Sequence, residues 1–285
     1  MKPYNMHGSS FLPHNMAESV SYPPALVEGY LEYARIQTKY YETGTIDLGN
    51  IGWIYPSTLL PCVGLVANDP DAPFIPPSDP NVTGYIAAMI TRGSDNTLLG
   101  STYVPIVALP SDERDLSPVL QRLYRLNNDG REYGGECAFK YVVGEFVANI
   151  YEHSHFHHAY IMAQKYPGKG FVEFSFYDDG MTIPGSLSSA GMNFKNDVEA
   201  IAMAVNGLSS KKMEGRGYGL QHNVEISIKG LMAEISLVSR SGILHIDGNG
   251  PKGYMLREKY KLNGTGISVR SPYPAKEVNI YEHLQ

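Results

Sequence analysis

The stretch that decides how this chain is read is "GEFVANIYEHSHFHH", residues 144–158. It sets four histidines within six positions, beside two glutamates and an asparagine. Two chemistries compete for it. His153, His155, His157 and His158 are candidate ligands for Zn²⁺ or Ni²⁺, because imidazole suits both ions and His153 and His157 share a helical face. Alternatively, Glu145 and Asn149 lie one turn apart on one face of a helix, with Phe146, Val147 and Ile150 supplying an apolar face to bury. A carboxylate and a carboxamide on the edge of such a helix suit a metal-bound phosphate. The amide oxygen is a hard ligand for Mg²⁺, and the carboxylate can accept a proton from an attacking hydroxyl or water. The later histidines stand where the helix must end and a strand begin, a place where imidazoles cap carbonyls or face solvent. The weight therefore falls on Glu145 and Asn149, and a histidine-cluster metal-binding protein stays as an alternative.

The rest of the composition narrows the class. The chain has 285 residues, enough for one large domain or two ordinary ones, and its 43% hydrophobic and 18% charged content is globular. A formal charge of −6 and a pI near 5.8 disfavour a general nucleic-acid binder, which needs a basic surface. Two distant cysteines, Cys62 and Cys137, allow neither a disulfide framework nor a thiolate zinc site. The apolar run "LLPCVGLVA" (59–67) is less than half a membrane span, and no signal peptide is visible, so no membrane association and a cytoplasmic location are expected.

Along the chain, residues 1–24 read as an irregular arm. "PALVEGYLEYARIQTKYYETG" is helical, with Leu26, Tyr30, Leu31 and Ala34 at helical spacing. Residues 45–54 read as a strand, and "PSTLLPCVGLVAND" as a helix with Pro56 in its first turn. After a Pro-rich loop (68–81), "VTGYIAAMIT" and "YVPIVAL" read as strands, and "SDERDLSPVLQRLYRL" as a helix capped by Ser111 or Asp112. The turn-rich "NNDGREYGG" (127–135) is the candidate domain boundary. Beyond it a helix is expected over 136–154 and strands near 158–165 and 170–178. A mixed loop and helix would occupy 181–215, with a further helix from about 217. Strands are then expected at 232–239, 242–247, 253–261 and 265–271. Helices and mainly antiparallel strands in separate blocks predict an α+β protein with a two-layer sandwich. The expected division is a small α/β domain over 25–130, a second domain over 135–272 and a tail over 273–285.

Three more segments carry chemistry. In "FSFYDDGMTIP" (174–184) a strand runs into Asp178, Asp179 and Gly180, then Ile183. A carboxylate at a strand end can accept from an exocyclic amine such as adenine's, and Gly180 admits the base to the backbone. In "EGRGYGLQHNVEIS" (214–227) the alternating Gly215, Gly217 and Gly219 lead straight into an amphipathic helix beginning near Leu220. Bare N–H groups at a helix start suit phosphate, and Lys211, Lys212 and Arg216 could add positive charge. In "NGTGISV" (263–269) Gly264 and Thr265 open the final strand and could line an adenine pocket. Each has a plain reading too: a solvated helix face for Glu145 and Asn149, an ordinary turn for Asp178–Gly180, a flexible connector for the glycines.

In order, these segments resemble the N, G1, G2 and G3 boxes of the GHKL superfamily, the Bergerat-fold ATPases. The likeness is nearest to anti-sigma-factor serine kinases and the ATPase part of histidine kinases. Their N-box pattern E-x-x-x-N-x-x-x-H is matched by Glu145, Asn149 and His153, and the resemblance covers residues 135–272. It implies ATP and Mg²⁺ as ligands, with Asn149 on the metal and Glu145 as general base. It implies Asp178 on the adenine amino group, and Gly215, Gly217 and Gly219 with Leu220 in a lid over the phosphates. Thr182 stands where the second glycine of the G1 box is usual. No histidine-bearing dimerisation helix precedes the N-box, which argues against a self-phosphorylating sensor kinase. Family members often dimerise, so a homodimer is an expectation by analogy, as is a protein partner or protein substrate. The segment "TIDLGNIGWIYPSTLLPCVGLV" is similar to the strand–turn–helix of STAS domains, with Ser57 near their phosphorylatable serine. The expected function is Mg-ATP binding with ATPase or protein serine/threonine kinase activity, the alternative being an ATP-responsive switch that binds a partner without hydrolysis.

Overall fold

A computed structural model describes residues 23–91, 102–208 and 219–284 of the chain. The expected arm lies outside these residues except at Pro23 and Pro24. Helix α1 (Ala25–Thr43) buries Leu26, Val27, Tyr30, Tyr33 and Ala34 along one face, the helical spacing read from the sequence. The strand expected over 45–54 shrinks to β1 (Ile46–Asp47). The side chain of Asp47 accepts from the Gly49 N–H at 2.8 Å and folds the chain into a turn there. Helix α2 (Pro56–Asn68) begins at the expected proline. Strand β2 (Phe74–Ile75) pairs in parallel with β1.

The expected strand "VTGYIAAMIT" is instead helix α3 (Pro80–Thr91). Asp79 caps it, its side chain accepting from the Asn81 N–H at 2.8 Å. Val82, Ile86 and Met89 form a buried stripe at helical spacing. The β-branched residues that suggested a strand are therefore overruled by a cap and a 3.6-residue period.

The other elements follow their expected order. Strand β3 (Tyr103–Ala108) precedes α4 (Leu116–Leu126), whose leading 3₁₀ turn is capped by Asp112 through the Arg114 N–H. Helix α5 (Gly135–His153) is followed by β4 (Ala159–Tyr166) and β5 (Phe171–Asp178). Helices α6 (Ile183–Ser189), α7 (Asp197–Val205) and α8 (Gly219–Glu225) come next, α8 passing into one π turn. Strands β6 (Glu234–Arg240), β7 (Gly242–Asp247), β8 (Gly250–Met255) and β9 (Leu262–Pro272) complete the fold. The strand expected over 253–261 ends at Met255, and a 3₁₀ turn occupies Glu258–Tyr260.

Seven strands form one sheet in the order β3-β4-β5-β9-β6-β7-β8, every neighbour antiparallel. The chain is thus a mixed α+β protein built on an antiparallel sheet. One face carries Phe174, Phe176, Ile235, Leu237, Leu244 and Ile267 and packs against α5, α7 and α8. The opposite face carries Met162, Tyr177, Val238 and Ile243 and packs against α1 and α2. Each fully buried Leu or Ile contributes roughly 2 kcal/mol by leaving water.

This second apolar face corrects two expectations. The sheet is the middle of three layers, not one side of a two-layer sandwich. Nor are residues 25–130 closed off at the expected boundary: apart from the short β1–β2 pair, β3 pairs with β4 across it, and Leu123 shares a core with Phe139. The physical reason lies in β4, β5 and β7, whose successive residues Ile161 and Met162, Phe176 and Tyr177, and Ile243 and Leu244 are apolar on both sides. Such strands need cover on each face. Helix α2 is docked through a charge as well: buried Glu173 accepts from the Ser57 N–H at 2.9 Å and pairs with Arg270 at 2.8 Å. The Ser57 side chain is 7% exposed and turned toward Gly29 of α1. The tail is fastened too, with the Ala275 N–H donating to Glu132 O and the Val278 N–H to Gly134 O, each at 2.9 Å. No helix among the described residues is long and apolar enough to cross a membrane.

Candidate functional site

Helix α5 enters the core on Phe146, Val147 and Ile150, which leaves Glu145, Asn149, Glu152 and His153 along its edge. These side chains open onto a cavity of about 420 Å³, within the range of small-molecule sites. Asp178 reaches it from the end of β5, Ile183 from the start of α6, Gly219 and Leu220 from the start of α8, and Thr265 from β9. Residues from four separate stretches of sequence therefore meet at one hollow. Gly180 does not line it; its N–H donates to Asp178 Oδ1 at 3.0 Å. Lys211, Gly215, Arg216 and Gly217 lie outside the described residues.

The sheet register sets the floor. Asp178 stands opposite Thr265 on the β5–β9 ladder. The Thr265 hydroxyl lies 3.0 Å from Ser239 Oγ, which accepts from the Ile183 N–H at 2.9 Å and so ties the start of α6 to β6. Asp178 is only 3% exposed. Burial pushes its carboxyl up to about 7, a rise that Asp179 reinforces and the Gly180 N–H opposes. Burial also raises the Glu145 carboxyl; Glu152 adds to the rise and His222 offsets part of it.

Asn149 donates through Nδ2 to the Glu145 carbonyl at 2.7 Å. The amino end of the carboxamide is thereby fixed on its own helix, and the oxygen is the end available to chemistry. A hard oxygen one turn from a carboxylate, at the rim of a hollow, fits Mg²⁺ shared with phosphate. Across from them, Gly219 approaches so closely that a Cβ there would overlap Glu145 Oε2.

Thr182, the departure from the G1 pattern, has a local task. Its Oγ1 accepts from the Gly185 N–H at 3.1 Å and caps α6, and its φ of −72° needs no glycine. The histidine cluster does not form a metal centre: among the described residues no three His, Cys, Asp or Glu side chains gather as ligands. His153 faces the cavity, and His158 is drawn to Asp179 at 2.8 Å.

Among the lining residues that escaped the sequence reading are Glu152 and His222. Glu152 is three residues beyond Asn149 on α5, and His222 three beyond Gly219 on α8. In both cases helical spacing alone placed them on the right face. Compared with protein-family models, curated proteins and solved structures, the chain matches none.

Proposed function

We propose that this protein binds Mg-ATP in the α5–β5 cavity in the manner of the GHKL, Bergerat-fold ATPases, and acts as an ATPase or protein serine/threonine kinase. The observation that carries the reading is the convergence of Glu145, Asn149, Asp178, Gly219, Leu220 and Thr265 on one hollow. Asp178, buried at the floor, accepts from the amino group of the base, with Thr265 beside it. Asn149 offers its amide oxygen to the metal, which supplies charge neutralisation at the phosphates. Glu145, above its ordinary pKa in a partly dry position, takes the proton from the attacking water or protein hydroxyl during in-line displacement at the γ-phosphoryl.

Calorimetry with a non-hydrolysable ATP analogue and Mg²⁺ tests this directly. Saturable binding to the wild type, lost in Asp178→Ala, is the expected result; equal affinity in both ends the assignment. Glu145→Ala should bind the analogue and release no phosphate. Tight binding by a wild type that never turns over would favour the partner-binding switch.

A further inference from the structure

The turn between α5 and β4 and the turn between β5 and α6 are interlocked by main-chain bonds and by one side chain, that of Asp179. Asp179 Oδ1 accepts from the main-chain N–H groups of His157 and His158, each at 2.8 Å. Its Oδ2 lies 2.8 Å from His158 Nδ1. Its own N–H donates to the His158 carbonyl at 3.0 Å, and the Met181 N–H donates to the Ser154 carbonyl. Between them Gly180 runs against the Ser154 main chain, where a Cβ would overlap the carbonyl oxygen. The Asp179 side chain is 7% exposed, although its histidine partners reach the surface, so leaving this carboxylate unmatched would be costly.

The clasp abuts the cavity on both strands of chain. Asp178, immediately before Asp179, faces the hollow, and so do His153 and Ser154 at the end of α5. We infer that Asp179 is a positioning residue: through the His157–His158 turn it fixes the direction of the Asp178 carboxylate, and His158 serves as its partner. The inference rests on the cavity being a nucleotide site. It gives the "SHFHH" run a task that no metal ion enters. It also divides labour between adjacent aspartates, one turned toward ligand and the other toward the neighbouring loop.

The test separates the two ideas. Affinity for a non-hydrolysable ATP analogue with Mg²⁺ is measured in the wild type, Asp179→Ala, Asp179→Asn and His158→Ala, together with steady-state turnover. Asp179→Ala should weaken binding and raise KM by about tenfold or more, while kcat at saturation stays within about threefold, because Glu145 and Asn149 sit at least a turn of α5 before its clasped end. Asp179→Asn keeps an oxygen for both N–H groups and should recover most of the affinity. His158→Ala should fall between them. Gly64→Ala, which disturbs the far face of the sheet, controls for lost stability and should keep wild-type affinity. Wild-type affinity in Asp179→Ala, or an Asp179→Asn as weak as Asp179→Ala, overturns the positioning role and leaves the nucleotide reading standing. No binding by the wild type removes both.

Discussion

Gly219, the first residue of α8, lies against the carboxylate of Glu145 on α5, with no room for a Cβ between them. Asn223 locks the same two helices, its Nδ2 donating to the Val142 carbonyl at 2.8 Å in a fully buried position. A methyl at 219 would be relieved most cheaply by the Glu145 side chain, whose far end is the atom in the way. Gly219→Ala should therefore fold normally and bind nucleotide, yet lose about tenfold or more in kcat as the base leaves its place. Phosphate release at saturating Mg-ATP is the measurement, and unchanged turnover would detach Glu145 from the chemistry.

The raised pKa of Asp178 makes two pH dependences, with opposite signs. For stability, the folded state holds the proton from the ordinary carboxyl value of 3.8 up to about 7, whereas the unfolded chain has already released it. Stability from this group is full below about 4 and falls as pH rises through 7, by on the order of a few kcal/mol. Asp178→Asn should erase that slope, so its Tm advantage over wild type grows between pH 4 and 7.5. For binding, the ionised carboxylate is the form that accepts from the base. Affinity should drop toward tenfold per unit as pH falls below 7. A Tm difference that is flat with pH would refute the assignment.

The described lining of the cavity bears Glu145, Glu152 and Asp178, and no lysine or arginine among the described residues. A bare triphosphate would be repelled there. Chelating Mg²⁺ should weaken nucleotide binding by about tenfold or more, and Asn149→Ala should remove most of the gain that Mg²⁺ gives. Titrations with and without Mg²⁺ decide it.

At the far end of the floor Gly264 has a φ of 127°, and a Cβ there would overlap the carbonyl oxygen of Asp178. That neighbour is main chain and cannot swing aside. Gly264→Ala should cost several degrees in Tm and weaken nucleotide binding together. Loss of neither would mean that the β5–β9 junction is looser than its geometry.

On the other face, a Cβ at Gly64 would run into the ring of Tyr177. Gly64→Ala should lower stability by about 1–3 kcal/mol, the usual cost of overpacking, without altering affinity. A single cooperative transition in that variant, followed by fluorescence and circular dichroism alike, is expected if α2 and the sheet unfold together.

The parts of this protein legible in its sequence were those governed by neighbours a few residues away. The spacing of Glu145 and Asn149, with Phe146, Val147 and Ile150 between and around them, was enough to put both at the edge of α5. Asp178 read correctly as a strand end because Gly180 follows it. What failed depended on distant chain. The two-faced strands β4 and β5 contain nothing that says which helices cover the second face, and α1 and α2 precede them by about a hundred residues. Helix α3 was mistaken because Val82, Thr83, Ile86 and Ile90 favour strands locally, while the stripe that tertiary packing selects recurs every third or fourth position. The task of Asp179 was hidden for a similar reason: its partners are His157 and His158, on the preceding hairpin arm.

The docking of α1 and α2 on the sheet bears on how the chain can be cut. A fragment beginning at Gly135 would contain every cavity residue named above, yet it would bare Met162, Tyr177, Val238 and Ile243 to solvent and strip the edge of β4. An apolar plate with an unpaired border is a template for self-association. A fragment that keeps only the cavity-bearing half should therefore aggregate, and the shortest workable unit should start at the first helix.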